Sequence, residues 1–199
     1  MNFNKEISKC KDCKNYANPN RFSTAKKPYV NFYVEEKWKP QLVKVLFIAE
    51  SPPWQGYFYD QKTGNNQICL RTEVLNHLNL TSLTEFRTKG YYLIDAIKCR
   101  LKKPKGQKKV PKEVLRICSK NFLETEINEL KPHTIFVLGT SAKEALWRIK
   151  GFEILRNHKV TEGYDGQFSG FRVILGVYPG KRTRKKYKDQ IKTAFSKLR

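Results

Sequence analysis

Long hydrophobic runs are absent from this chain of 199 residues. The longest, residues 45–49 and 135–138, fall far short of the ~20 apolar residues that a membrane-spanning helix needs. The opening MNFNKEISKC also lacks the apolar stretch of a secretory leader. Histidine is scarce, and His77, His133 and His158 share no metal-ligand spacing, which leaves them as surface or locally satisfied side chains. Cysteine occurs five times. An odd count without a leader argues against a disulfide framework and for a reducing compartment. The scarcest class for a chain of this size is acid: 18 Asp and Glu stand against 40 Lys and Arg, a net charge of +22.

That charge implies a polyanionic partner, nucleic acid before an acidic membrane or protein surface. It is unevenly placed. Residues 98–120 carry ten Lys and Arg with one acid, and residues 181–199 carry nine with one acid, so about a fifth of the chain holds 19 of the 40 cations. The lysine-rich stretch 102–112 is the only biased segment, and no internal repeat is present.

A hydrophobic content of 39% is enough for one cored domain. Residues 44–50 (KVLFIAE) form a short continuous apolar run that breaks into Ser-Pro-Pro, the signature of a buried parallel strand entering a loop. Residues 91–97, 134–139 and 171–177 read the same way. Between them lie helical patterns. Val114, Cys118, Phe122, Ile127 and Leu130 share one side of a helix that starts near Pro111 and ends before Pro132. Ser141 with Glu144 suggests a capping box for a helix through Ile149, stopped by Gly151. Tyr187, Ile191, Phe195 and Leu198 stripe the last helix. Alternating strands and helices predict a single-domain three-layer αβα sandwich over 1–199, with a central four-stranded parallel sheet and the N-terminal segment 1–40 packed against it. Sites in such a sheet form where strands end. The chemistry is therefore expected just past them, at residues 50–59, 95–100, 139–141 and 178–184.

Four cysteines stand apart from the fifth. Cys10 and Cys13 form a CKDC pair, Cys99 lies in YYLIDAIKCR, and Cys118 opens the run that ends in Lys131-Pro132. A Cys-x2-Cys pair joined by two distant cysteines is the ligand count of a four-thiolate centre, either an iron–sulfur cluster or a structural zinc. Cys69 is the leftover.

Taken in order, CKDC, IAESPP, YYLIDAIKCR, the run from Cys118 to Pro132, TIFVLG with Ala142, and VYPGKR span nearly the whole chain. Together they resemble the uracil-DNA glycosylase superfamily, most closely its iron–sulfur class (family 4). The resemblance implies a monofunctional DNA glycosylase, monomeric and cytoplasmic at the nucleoid. Such an enzyme flips a deaminated base out of double- or single-stranded DNA and hydrolyses its N-glycosidic bond. It also implies a [4Fe–4S] cluster, or else zinc, on Cys10, Cys13, Cys99 and Cys118, in a structural role. Glu50 matches the acid of the first motif and, with Asp95 and Tyr178, makes the catalytic set. Ser51, Phe58 and Asp95 would bind the base, with Phe58 as its stacking ring. Pro52, Pro53, Lys181, Arg182 and Arg184 would hold the DNA backbone.

Three positions depart from the family pattern. Its asparagine, whose amide both donates to and accepts from a pyrimidine edge, falls on Asp95, and an ionised Asp only accepts. Its histidine falls on Tyr178 and the serine after it on Gly180, so the donor to the leaving base is a phenol without positive charge. These departures keep a second reading open: an iron–sulfur DNA- or RNA-binding protein of the same fold without catalysis. A zinc-bearing nucleic-acid module is a third.

If the stretch 102–112 and the head of the last helix neutralise on the order of five phosphates, log K for DNA should fall against log salt with a slope of roughly −4 to −5. Charge reversal of Lys181, Arg182 and Arg184 to Glu should flatten the slope in a filter-binding or anisotropy titration. A slope near zero for the unaltered protein would assign the basic face another partner.

Overall fold

In the computed structural model, residues 6, 7, 9–13, 36–52, 58, 59, 69–99 and 110–198 are described, with Cys69, Lys181, Arg182 and Arg184 described in backbone only. Pro53 and residues 102–109 of the lysine-rich stretch lie outside them. Strands β1 (Val45–Ala49), β2 (Tyr91–Asp95), β3 (Thr134–Leu138), β4 (Asp165–Phe168) and β5 (Phe171–Gly176) form one sheet in the order β2-β1-β3-β5-β4. The first three pairings are parallel, with Ala49 beside Asp95, Phe47 beside Phe136, and Leu138 beside Gly176.

The sheet has five strands, one more than the sequence predicts, and the extra strand runs antiparallel to β5. Its sequence DGQF has no apolar run because it lies at an edge, where alternate residues face water. Ser169 (φ 49°) and Gly170 (φ 83°) both adopt left-handed backbone, the geometry of a two-residue hairpin turn. The four parallel strands read clearly because both of their faces are covered. Every residue of β1 and β3 is buried.

Helix α1 (Cys69–Leu78) and α2 (Leu83–Thr88) precede β2. The next helix runs as α3 (Lys112–Cys118), a π-helical turn (Ser119–Leu123), and α4 (Glu124–Leu130). The single regular helix expected here thus carries an inserted turn, anchored by the Ser119 hydroxyl, 2.7 Å from the Leu115 carbonyl and 2.9 Å from that of Ala145. Helix α5 (Thr140–Leu146) starts one residue before the expected Ser141 cap, and the Ser141–Glu144 capping box is not formed. Gly139, at φ 90°, makes the turn instead. The last helix breaks at Tyr187 into α6 (Lys181–Lys186) and α7 (Lys188–Ser196). No helix among the described residues is long and apolar enough to cross a membrane.

One face of the sheet centres on Phe47, whose fully buried ring lies 5.3 Å from Phe136, 5.5 Å from Phe86 of α2 and 6.3 Å from Phe195 of α7. It therefore joins two strands and two helices. Phe47→Ala should lower unfolding stability by about 3–5 kcal/mol in urea titrations. Leu42→Ala, at a side chain 51% exposed, should change it by less than about 0.5 kcal/mol.

Candidate active site

Four loops leave the carboxyl edge of the sheet side by side, after β2, β1, β3 and β5 in that order. At ~4.8 Å per strand, the two outer strands of this set lie about 14 Å apart. Asp95 ends β2, Glu50 follows β1, Gly139 follows β3, and Tyr178 lies two residues past β5. The strand neighbours of β1 are β2 on one side and β3 on the other, so chain direction diverges at β1, the switch point at which ligands bind in open α/β sheets.

Backbone bonds carry the sheet register into these loops. Ala96 N–H donates to the Ala49 carbonyl at 2.8 Å, and Ile97 N–H to the Glu50 carbonyl at 3.0 Å. Glu50 and Asp95 are therefore adjacent and fixed. On the far side, Gly139 N–H donates to the Gly176 carbonyl at 2.8 Å. A Cβ on Gly139 would stand 3.0 Å from Tyr178 Cβ, and one on Gly180 would stand 2.8 Å from Tyr178 Cε1. Gly139 thus packs against the base of the Tyr178 side chain and Gly180 against its ring.

Burial dominates the electrostatics of Asp95 and pushes its carboxyl up to about 7. The Lys98 ammonium opposes that shift, while Glu126 and Glu50 add to it. Lys98 is buried, and its Nζ donates to the Asp95 carbonyl at 2.5 Å and pairs with Glu126 Oε2 at 2.5 Å. Burial raises Glu126 too, against the pull of Lys98. Neither Lys98 nor Glu126 was among the sequence-derived candidates. A signal did exist, because Glu126 continues the spacing of Val114, Cys118 and Phe122 and puts an acid where the stripe calls for an apolar residue.

The other candidates fall in several places. Ser51 is half-buried and Pro52 buried in the loop after Glu50. Phe58 is only 2% exposed, its ring 4.9 Å from Tyr59 and 5.4 Å from Phe86, so it is covered by core rather than presented to the crevice. Lys181, Arg182 and Arg184 open α6 directly beyond the Tyr178 loop. Behind them, Lys185, Lys188 and Lys192 line a cavity of about 360 Å³ with Glu73, His77 and Ile191.

The four candidate thiols converge beside Lys98. None of the four is in a disulfide, and Cys13, Cys99 and Cys118 are buried. Burial followed by the Cys10 thiol pushes Cys13 up to about 11. Cys99 is raised further, by burial first and then by Cys118, Cys13 and Cys10. Cys118 is pushed up to about 12 by burial, opposed by a hydrogen bond from the backbone N–H of Lys98. Asn121 of the π turn donates to Asp12 at 2.7 Å and so ties the CKDC segment to the helix that carries Cys118. Among the described residues, no group of three or more His, Cys, Asp or Glu is arranged to hold a metal ion.

The family model described as the uracil DNA glycosylase superfamily matches residues 36–199. The chain belongs to the uracil DNA glycosylase superfamily. Members of this superfamily are generally DNA glycosylases. No curated protein matches the chain. The matched span contains Glu50, Asp95, Gly139 and Tyr178, and therefore all four strand ends of the crevice.

A pH dependence of stability follows from Asp95. Its ordinary value is 3.8 and its folded value about 7, so the folded protein holds this proton over a range where the unfolded chain has released it. The stability that Asp95 contributes is full below pH ~4, falls as pH rises towards about 7, and is flat above. The melting temperature of the wild type minus that of Asp95→Asn should therefore fall across this window. A difference independent of pH would show that Asp95 titrates as an exposed carboxylate.

Proposed function

We propose that this protein is a DNA glycosylase that removes uracil or a related deaminated base, and that it carries a [4Fe–4S] cluster on Cys10, Cys13, Cys99 and Cys118. The observation that carries the first part is the placement of Glu50, Asp95, Gly139 and Tyr178 at the carboxyl ends of four neighbouring parallel strands, with Glu50 and Asp95 held beside each other by the β1–β2 backbone bonds. Support for the second part is that four thiols from three distant segments lie close enough to raise one another, none of them in a disulfide and one receiving a backbone N–H. Thiolate coordination would relieve the cost of burying them, and hydrogen bonds to sulfur are a known way of tuning such centres. When bound, the cluster supplies a cross-link between the N-terminal segment and the sheet.

Asp95 near neutrality bears on the departure from the family amide. A protonated carboxyl offers one donor and one acceptor, as an amide does, so below pH ~7 Asp95 can match the N3–H and O4 edge of uracil. The Glu50 carboxylate then orients water at C1′ and accepts its proton. The C1′–N bond breaks with its electron pair leaving on the base, and the positive charge that develops on the sugar is stabilised by the same carboxylate. The Tyr178 hydroxyl donates to the departing base, where negative charge gathers. Strand-end loops and the lysine-rich α6 and α7 hold the backbone of the extruded nucleotide.

Base release from uracil, hypoxanthine, xanthine and thymine-mismatch DNA tests this reading. Uracil release by the wild type should fall as pH rises through about 7. Asp95→Asn should raise uracil release at pH 8 and remove the pH dependence. Activity that instead rises through this range and is lost in Asp95→Asn would make Asp95 the water-activating base. No release of any base would favour a binding protein of the same fold, a reading that the Asp95 and Tyr178 substitutions already invite.

The cluster has its own test. Purified protein should absorb near 400 nm (roughly the region of thiolate-to-iron bands). Cys69→Ser should keep that absorbance, whereas Cys99→Ser or Cys118→Ser should abolish it. Colourless protein with one zinc per chain would replace the cluster with zinc.

A further inference from the structure

We propose that Lys98 is the positioning residue of the crevice: clamped on Glu126, it holds the Asp95 turn against α4 and sets the charge on the Asp95 carboxyl. This rests on reading Asp95 as the crevice acid, and it adds two residues to that site. Lys98 makes three contacts in three directions. Its ammonium donates to the Asp95 carbonyl, the same ammonium pairs with Glu126, and its backbone N–H bonds the Cys118 thiol. The side chain is buried, so the ammonium is fixed rather than solvated.

A buried ammonium needs an anion, and Glu126 is the one held to it by an ion pair. Helix α4 therefore anchors the turn from Asp95 to Cys99 from one side, while the backbone bonds to Ala49 and Glu50 anchor it from the other. Among the described residues, Lys98, Glu126 and Glu50 act on Asp95, and of these three Lys98 favours its ionised form. Loss of Lys98 leaves two carboxylates facing a third, whereas loss of the Glu126 charge leaves Lys98 free to act on Asp95. The two substitutions must therefore move Asp95 in opposite directions, which a purely structural pair would not do.

The test measures melting temperature from pH 4 to 9 in the wild type, Lys98→Met, Glu126→Gln and the double variant, each with and without Asp95→Asn. The midpoint of the Asp95-dependent difference reports the charge state of Asp95 without any need for activity. An opposite charge within ~4–6 Å moves a carboxyl by about one pH unit or more. The midpoint should rise by about that much in Lys98→Met, fall by about that much in Glu126→Gln, and return close to the wild-type value in the double variant. If Lys98→Met does not fold, Glu126→Gln and the double variant, which buries no unpaired charge, still decide. The pH midpoint of uracil release, measured alongside, should move with the thermal midpoint. Thermal shifts of opposite sign without any base release would uphold the role of Lys98 and overturn the glycosylase reading. Shifts of the same sign, or none, would overturn the inference whatever the activity.

Discussion

Everything at the crevice depends on a sheet register that does not stop where the strands do. The N–H groups of Ala96 and Ile97 continue the β1–β2 ladder onto the carbonyls of Ala49 and Glu50. Loop residues ordinarily sample many conformations, and ordering each costs about 1–2 kcal/mol of backbone entropy. Here the ladder has already fixed them as part of folding. The same turn then delivers Asp95 to the crevice, Lys98 to Glu126 and Cys99 to the thiols within five residues. A slip of one residue in the β1–β2 register would exchange inward for outward side chains and dissolve all three at once. Buried Leu46, Ile48, Leu93 and Ile94 guard against that slip.

The parallel strands and the strand-end position of Glu50, Asp95 and Tyr178 were legible for one reason. A strand covered on both faces is apolar at every residue, so its run and its end are visible in the sequence. What escaped notice has an equally physical cause. Strand β4 is half-solvated and has no run to see. The π turn after Cys118 changes the helical phase without any change in composition. Gly139 at φ 90° displaced the expected capping box, because a tight exit from β3 outweighed a local cap. The Lys98–Glu126 pair joins a loop to a distant helix, and long-range charge pairing leaves no local pattern beyond one acid in an apolar stripe.

The departures at positions 178 and 180 belong together. A phenol is larger than an imidazole, and its ring atom Cε1 would stand 2.8 Å from any Cβ at Gly180. Serine at 180 would therefore require the Tyr178 ring to shift. Gly139 closes the other side, 3.0 Å from Tyr178 Cβ. Tyrosine and glycine at these two sites form one solution to packing rather than two independent losses, and the ring keeps a fixed seat from which its hydroxyl can donate.

Asp95 is held near neutrality in a protein whose net charge of +22 should favour every carboxylate. Burial and the flanking acids outweigh that distant charge because solvent screens long-range interactions over about 8–10 Å, while contacts within the crevice are screened far less. On the proposed reading, DNA strengthens the effect. Phosphates drawn to the basic surface neutralise the cations that favour an ionised Asp95, and closure over an extruded base removes water from around the carboxyl. Both changes push Asp95 towards its protonated form, the form that resembles an amide. The residue would then be a poor match for uracil in the free protein and a better one in the complex. Lys98 opposes the drift from within contact distance of the Asp95 turn, so on this reading its clamp on Glu126 bears on how far towards the amide-like state Asp95 can go.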